Sequence, residues 1–168
     1  MDRKDYSKLI ENSAEKDTVI EKIFTYILDE TPAINKMINN IKNQKKYSIT
    51  NIRAHKGTEN DILPPVELWL KGYRDAELVI TNSFHGMMFS IINNTDFIII
   101  GKEDGGLTRI YDFLYKYGIE GRFVDESKVG EFELYNLEQI DWPSVNVKLY
   151  EARKQSSEWL LGVIKNGK

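Results

Sequence analysis

A histidine stands directly behind a cluster of small polar residues in the run Leu78-Val79-Ile80-Thr81-Asn82-Ser83-Phe84-His85-Gly86. The run predicts a strand that stops at Thr81 and feeds a helix, with His85 at the seam. An imidazole has a reference pKa of about 6.5, so it delivers or accepts protons near neutrality. Asn82 and Ser83 are capping types: either caps the helix by accepting a backbone amide, and the remaining first-turn amides then face outward as anion donors. Gly86 removes a side chain from the first turn, which lets a ligand or a neighbouring backbone come close. The same residues also fit a plainer account, with Ser83 only a cap, Gly86 only a packing contact and His85 bonded to a loop carbonyl.

A second strand-to-loop run follows within one helix length, Phe97 to Ile100 and then Gly101-Lys102-Glu103-Asp104-Gly105-Gly106-Leu107-Thr108-Arg109. Gly-rich backbone can wrap a phosphate, Lys102 brings a charge, and Arg109 offers a planar fork suited to phosphate or carboxylate. The order of residues is not that of a Walker loop, and no dinucleotide fingerprint is present. The plainer account of this loop is a connection in which Arg109 pairs with Asp112. Arg122 adds a further cation or is held in an ion pair. His55 lies in a polar loop and reads as solvated. No set of ligands at metal-binding spacing accompanies either histidine, so no metal and no cofactor is expected.

The elements that must position these residues alternate between strand and helix. Tyr6, Leu9 and Ile10 sit at helical spacing ahead of a strand over Ile23 to Leu28. Thr31 caps a helix that has Pro32 at its first position and Ile34, Met37, Ile38 and Ile41 as its apolar stripe. Tyr47 to Ile52 reads as a second strand, followed by a polar loop to Leu63. Pro64 and Pro65 open a helix through Tyr73. After the strand ending at Thr81, a helix over Phe84 to Asn93 is apolar on most sides and is expected to be buried. Phe97 to Ile100 is nearly all apolar, as central parallel strands are. Ile110, Phe113, Leu114 and Tyr117 stripe a helix closed by Gly118. Arg122 to Val124 forms a short edge strand, Asn136 to Asp141 a helical turn, and Pro143 to Ile164 a long terminal helix with Leu149, Ala152, Leu160, Leu161 and Ile164 available for packing. The alternation predicts one parallel, three-layer α/β/α Rossmann-like domain over residues 1–168. Its ligands belong at the carboxyl ends of the strands.

Composition narrows the class. The chain has 168 residues, 41% hydrophobic and 29% charged, which is ordinary for a globular domain able to bury its own core. The formal net charge of -3, with both signs interspersed, argues against a nucleic-acid surface. With no cysteine, disulfides and thiolate chemistry are excluded. No apolar stretch approaches the roughly 20 residues that cross a bilayer, and the first residues do not resemble a secretion signal. A cytoplasmic location is expected.

The run Val66-Glu67-Leu68-Trp69-Leu70, then Asp75-Ala76, then Val79 to Gly86, then Phe89-Ser90-Ile91, then Arg109 and Gly118-Ile119 to Arg122 resembles the carboxyl half of polysaccharide pyruvyl transferase family proteins. The resemblance implies a domain similar to one half of a two-domain, GT-B type glycosyltransferase, with a missing N-terminal domain as partner. It implies transfer of pyruvate from phosphoenolpyruvate to a sugar hydroxyl as a ketal, in bacterial surface or exopolysaccharide synthesis, with contact to the inner face of the membrane through the acceptor. His85 would then be the acid/base residue, while Asn82, Ser83, Phe84, Gly86, Lys102 and Arg109 would bind the donor. Many members carry Arg-Leu where this chain has Ser83-Phe84, so the cation that the resemblance puts at position 83 is absent here. Two other functions fit the same fold: a donor domain for a nucleotide sugar, and a non-catalytic module that binds a partner protein.

Overall fold

The computed structural model describes residues 3–53, 64–102 and 107–166. The elements are α1 (Arg3–Glu11), β1 (Ile23–Ile27), α2 (Pro32–Lys45), β2 (Ile49–Arg53), α3 (Val66–Asp75), β3 (Leu78–Thr81), α4 (Phe84–Asn93), β4 (Asp96–Gly101), α5 (Thr108–Tyr117), β5 (Phe123–Asp125) and α6 (Trp142–Asn166). The five strands form one sheet in the order β2-β1-β3-β4-β5, and every neighbouring pair is parallel. The fold is therefore a three-layer, Rossmann-like α/β domain.

Alternation within the strands builds both interior layers. On one face, Phe24, Val79, Phe97 and Ile99 pack with Tyr73 of α3, Met87 and Ile91 of α4, and Ile110 and Leu114 of α5. On the other face, Ile23, Ile27, Ile80, Ile98 and Ile100 meet Ile34, Met37 and Ile41 of α2, with Val129 and Phe132 from the segment after β5. A strand buried on both faces takes mostly apolar residues, which is why β3 and β4 read as near-continuous apolar runs. Each fully buried Ile or Met contributes about 1.5–3 kcal/mol relative to exposure.

Local chemistry sets the helix ends. The Thr31 hydroxyl accepts the Ile34 amide at 3.2 Å, with Pro32 opening α2, as expected. Gly118 closes α5 at φ 71°, a left-handed conformation that favours glycine. In the strand order, successive connections run to opposite sides of the sheet at β1 and β3, so the topological switch point lies between those two strands. The carboxyl ends of β1 and β3 border the crevice where such sheets bind ligands.

Three expectations shift. The second strand begins at Ile49 rather than Tyr47, because Lys46 closes α2 in a left-handed turn and the Tyr47 amide still donates to the Lys42 carbonyl. The helical turn expected over 136–141 falls instead at Leu134–Asn136 as a single 3₁₀ turn. In α6, Leu149 and Ala152 are half-buried, but Leu160, Leu161 and Ile164 are exposed. The loop expected up to Leu63, with His55, lies outside the described residues beyond Arg53, as do residues 103–106 with the paired glycines.

Candidate functional site

The seam between β3 and α4 is held by Thr81, Asn82, Ser83 and Gly86. The Thr81 hydroxyl donates to the Tyr26 carbonyl of β1 at 2.6 Å and accepts the Ser83 amide at 3.1 Å. The Asn82 side-chain carbonyl accepts the Leu28 amide, while its amide nitrogen donates to the Asp29 carbonyl, so one side chain ties the end of β1 to the end of β3 across the switch point. Ser83 is buried, and its hydroxyl accepts the Gly86 amide at 3.4 Å as the cap of α4. Gly86 lies against β3 so closely that a Cβ there would stand 2.5 Å from the Thr81 Oγ1. The side chains of Asn82 and Ser83 thus bond to the backbone, and Gly86 is a packing contact.

That framework leaves one residue free. Of the ten residues of α4, His85 alone is exposed. It projects from the amino end of a helix whose other residues are buried or half-buried, at the carboxyl edge of the sheet. Its immediate neighbour is Phe84, with ring centroids 6.2 Å apart and an interplanar angle of 82°. Phe84 is half-buried and packs edge-on against Phe113 of α5 at 6.4 Å.

Arg109 comes to the same ring from the adjacent loop-to-helix junction. Its guanidinium carbon lies 5.4 Å from the Phe84 ring centroid, within the range of a cation–π contact. Arg109 is exposed, and no ion pair joins it to Asp112 among the described residues. The imidazole and the guanidinium thus each lie near the Phe84 ring, at 6.2 and 5.4 Å from its centroid. Lys102 follows β4 directly, exposed at the same carboxyl edge, and neither a hydrogen bond nor an ion pair links it to His85 or Arg109 among the described residues. Behind the crevice, Tyr26 of β1 and Trp69 of α3 meet edge-on at 5.5 Å.

Arg122 faces elsewhere. It is buried near the start of β4, at the opposite edge of the sheet, where its guanidinium donates to the Glu138 carbonyl and, at 3.5 Å, to the Phe97 carbonyl, with Asp96 3.7 Å away. Burial lowers its pKa from the usual arginine value, and Asp96 partly offsets this. Its positive charge is a structural tie, not part of the crevice.

Cavities of about 380 Å³ beside β5, lined by Asp125, Lys128 and Phe132 among others, and of about 360 Å³ at the amino edge, lined by Tyr47, Glu77 and Asp96 among others, have walls that do not include His85 or Arg109. Among the described residues no group of three or more His, Cys, Asp or Glu side chains is placed to hold a metal ion. Also among them, no helix is long and apolar enough to cross a membrane.

The arrangement is that of a Rossmann-like domain with an exposed histidine and an exposed arginine at the carboxyl edge of its sheet. A sequence model of the polysaccharide pyruvyl transferase family matches residues 2–104, which is more than half of the chain. The chain belongs to that family, and membership makes it transferase-like and implies a saccharide acceptor. The matched region contains the whole β3–α4 seam and His85, while Arg109 lies just beyond it. No curated protein and no solved structure matches the chain.

Proposed function

We propose that this chain is the donor-binding half of a pyruvyl transferase that uses phosphoenolpyruvate, with a second Rossmann-like domain presenting the acceptor sugar. The observation that carries the proposal is the exposed His85 imidazole and the exposed Arg109 guanidinium near one Phe84 ring at the carboxyl edge. Phosphoenolpyruvate has a carboxylate and a phosphate, which call for a cation and outward-facing backbone amides. Arg109 and the first turn of α4 supply these groups.

In the proposed reaction His85, as imidazolium, gives its proton to the methylene carbon of the donor, and the electron pair of the carbon–carbon double bond forms the new C–H bond. The cationic centre left at the adjacent carbon takes the first sugar hydroxyl, whose proton returns to the imidazole. The carbon–oxygen bond to phosphate then breaks, phosphate leaves with the bonding pair, and a second hydroxyl of the same sugar adds, its proton passing to the departing phosphate. The products are a cyclic ketal and inorganic phosphate. Synthesis of a surface or secreted polysaccharide on the cytoplasmic side of the membrane is the context this chemistry fits.

Ligand-induced stabilisation tests the reading. A ligand selective for the native state adds about 2.7 kcal/mol at a hundredfold excess over its Kd, a rise of several degrees in Tm for a domain of this size. Phosphoenolpyruvate is expected to produce that rise and uridine or guanosine diphosphate sugars are not. The reverse pattern would turn the assignment towards a glycosyltransferase donor domain.

A further inference from the structure

Arg109 occupies a place where a cation is unexpected. It lies in the first turn of α5, and the positive end of a helix disfavours a cation there. The first turn of α5 contains no acidic residue. Among the described residues no ion pair holds the Arg109 guanidinium, and the contact it makes is with the face of the Phe84 ring.

That ring is well anchored. Phe84 packs edge-on against Phe113, which in turn stacks on Tyr117 with centroids 4.3 Å apart and planes 23° from parallel. Arg109 and Phe113 are four residues apart on α5, so one face of that helix presents both to Phe84. Phe113 fixes the ring, and the ring carries the guanidinium. At 5.4 Å this is a cation–π contact, which uses none of the guanidinium's N–H hydrogen bonds and so leaves the fork available to a carboxylate or phosphate.

We infer that Phe84 is a positioning residue: its ring holds the Arg109 guanidinium at the carboxyl edge that also carries His85, so that the fork is ordered before the anionic donor arrives. This rests on the reading above that the crevice takes phosphoenolpyruvate. Pre-ordering matters because an unrestrained arginine loses the motion of a long side chain on binding, and one already held against a ring loses less. An aliphatic residue at position 84 would fill the same space without a π face to hold the cation.

The test compares Phe84→Leu with Phe84→Trp in the full chain, using isothermal titration with phosphoenolpyruvate. Phe84→Leu is expected to bind about two- to fivefold more weakly than wild type, and Phe84→Trp at least as tightly as wild type. Equal affinity for Phe84→Leu and wild type, or equal weakness of the two variants, overturns the inference. A second measurement needs no ligand: the side-chain protons of Arg109 should resonate upfield in the wild type through the ring current of Phe84 and move downfield in Phe84→Leu. Unchanged resonances also overturn it. A wild-type chain that shows the ring-current shift yet ignores phosphoenolpyruvate would remove the donor assignment and leave the Phe84–Arg109 pairing standing.

Discussion

The side-chain carbonyl of Asn82 accepts the backbone amide of Leu28 at 2.8 Å, and the amide of the same side chain donates to the Asp29 carbonyl at 3.0 Å. The two segments are 54 residues apart in sequence, yet this one side chain fixes how far the ends of β1 and β3 stand from each other. Replacement by alanine leaves both backbone groups to water. Asn82→Ala is expected to lose about 1–2 kcal/mol, and Asn82→Asp, which retains only the acceptor, an intermediate amount; urea unfolding measures both.

His85 makes a contrasting prediction, since its side chain lies outside the packed interior. His85→Ala is expected to lower pyruvyl transfer by about 10²–10⁴-fold, the range for a general acid, while stability changes by no more than about 0.5 kcal/mol. Phosphate release in the enzyme that carries this chain, beside a thermal melt of the variant, gives both values. An unchanged transfer rate would remove His85 from the chemistry.

The opposite split is expected at Gly86. A Cβ would meet Thr81 Oγ1 at 2.5 Å, Cγ2 at 3.0 Å and Cβ at 3.1 Å. Thr81 is buried and cannot turn away without breaking its 2.6 Å hydrogen bond to the Tyr26 carbonyl. Gly86→Ala should therefore cost about 1–3 kcal/mol, seen as a lower midpoint in denaturant.

The seam was legible in sequence where local chemistry decides it. Leu78–Thr81 and Phe84–Asn93 have the expected bounds because an apolar β-branched run meets a Ser cap within a few residues. The Thr31 cap and the Gly118 stop follow for the same reason. Partners at long range were not legible. Nothing local to Asn82 points to Leu28, and nothing local to Arg109 distinguishes Asp112 on its own helix from Phe84 on the preceding one. The terminal helix shows the same limit: the apolar positions of α6 could be read, but not that those near its end stay open to solvent, with Trp159 70% and Ile164 65% exposed.

Stability should depend on acid through Asp75. Burial raises its carboxyl, but hydrogen bonds from Arg74, at 2.6 Å, and from the buried Lys71 outweigh this and hold it below the usual carboxylate range. A carboxyl lowered in the folded state contributes stability that is fully present above its unfolded value and is lost as pH falls through the folded one. Asp75→Asn should therefore be less stable than wild type at neutral pH, and the two unfolding curves should converge as the pH is taken from about 5 towards 2.

An all-parallel sheet also sets an order of events during synthesis. β1 pairs with β2 and with β3, whose first residue, Leu78, lies opposite Ile23. No hairpin can close early, so one side of this central strand stays unsatisfied while 50 further residues are added. Throughout that interval the nascent protein displays a sticky apolar ribbon, and it is in the growing polypeptide, before the crevice exists at all, that chaperone protection matters most.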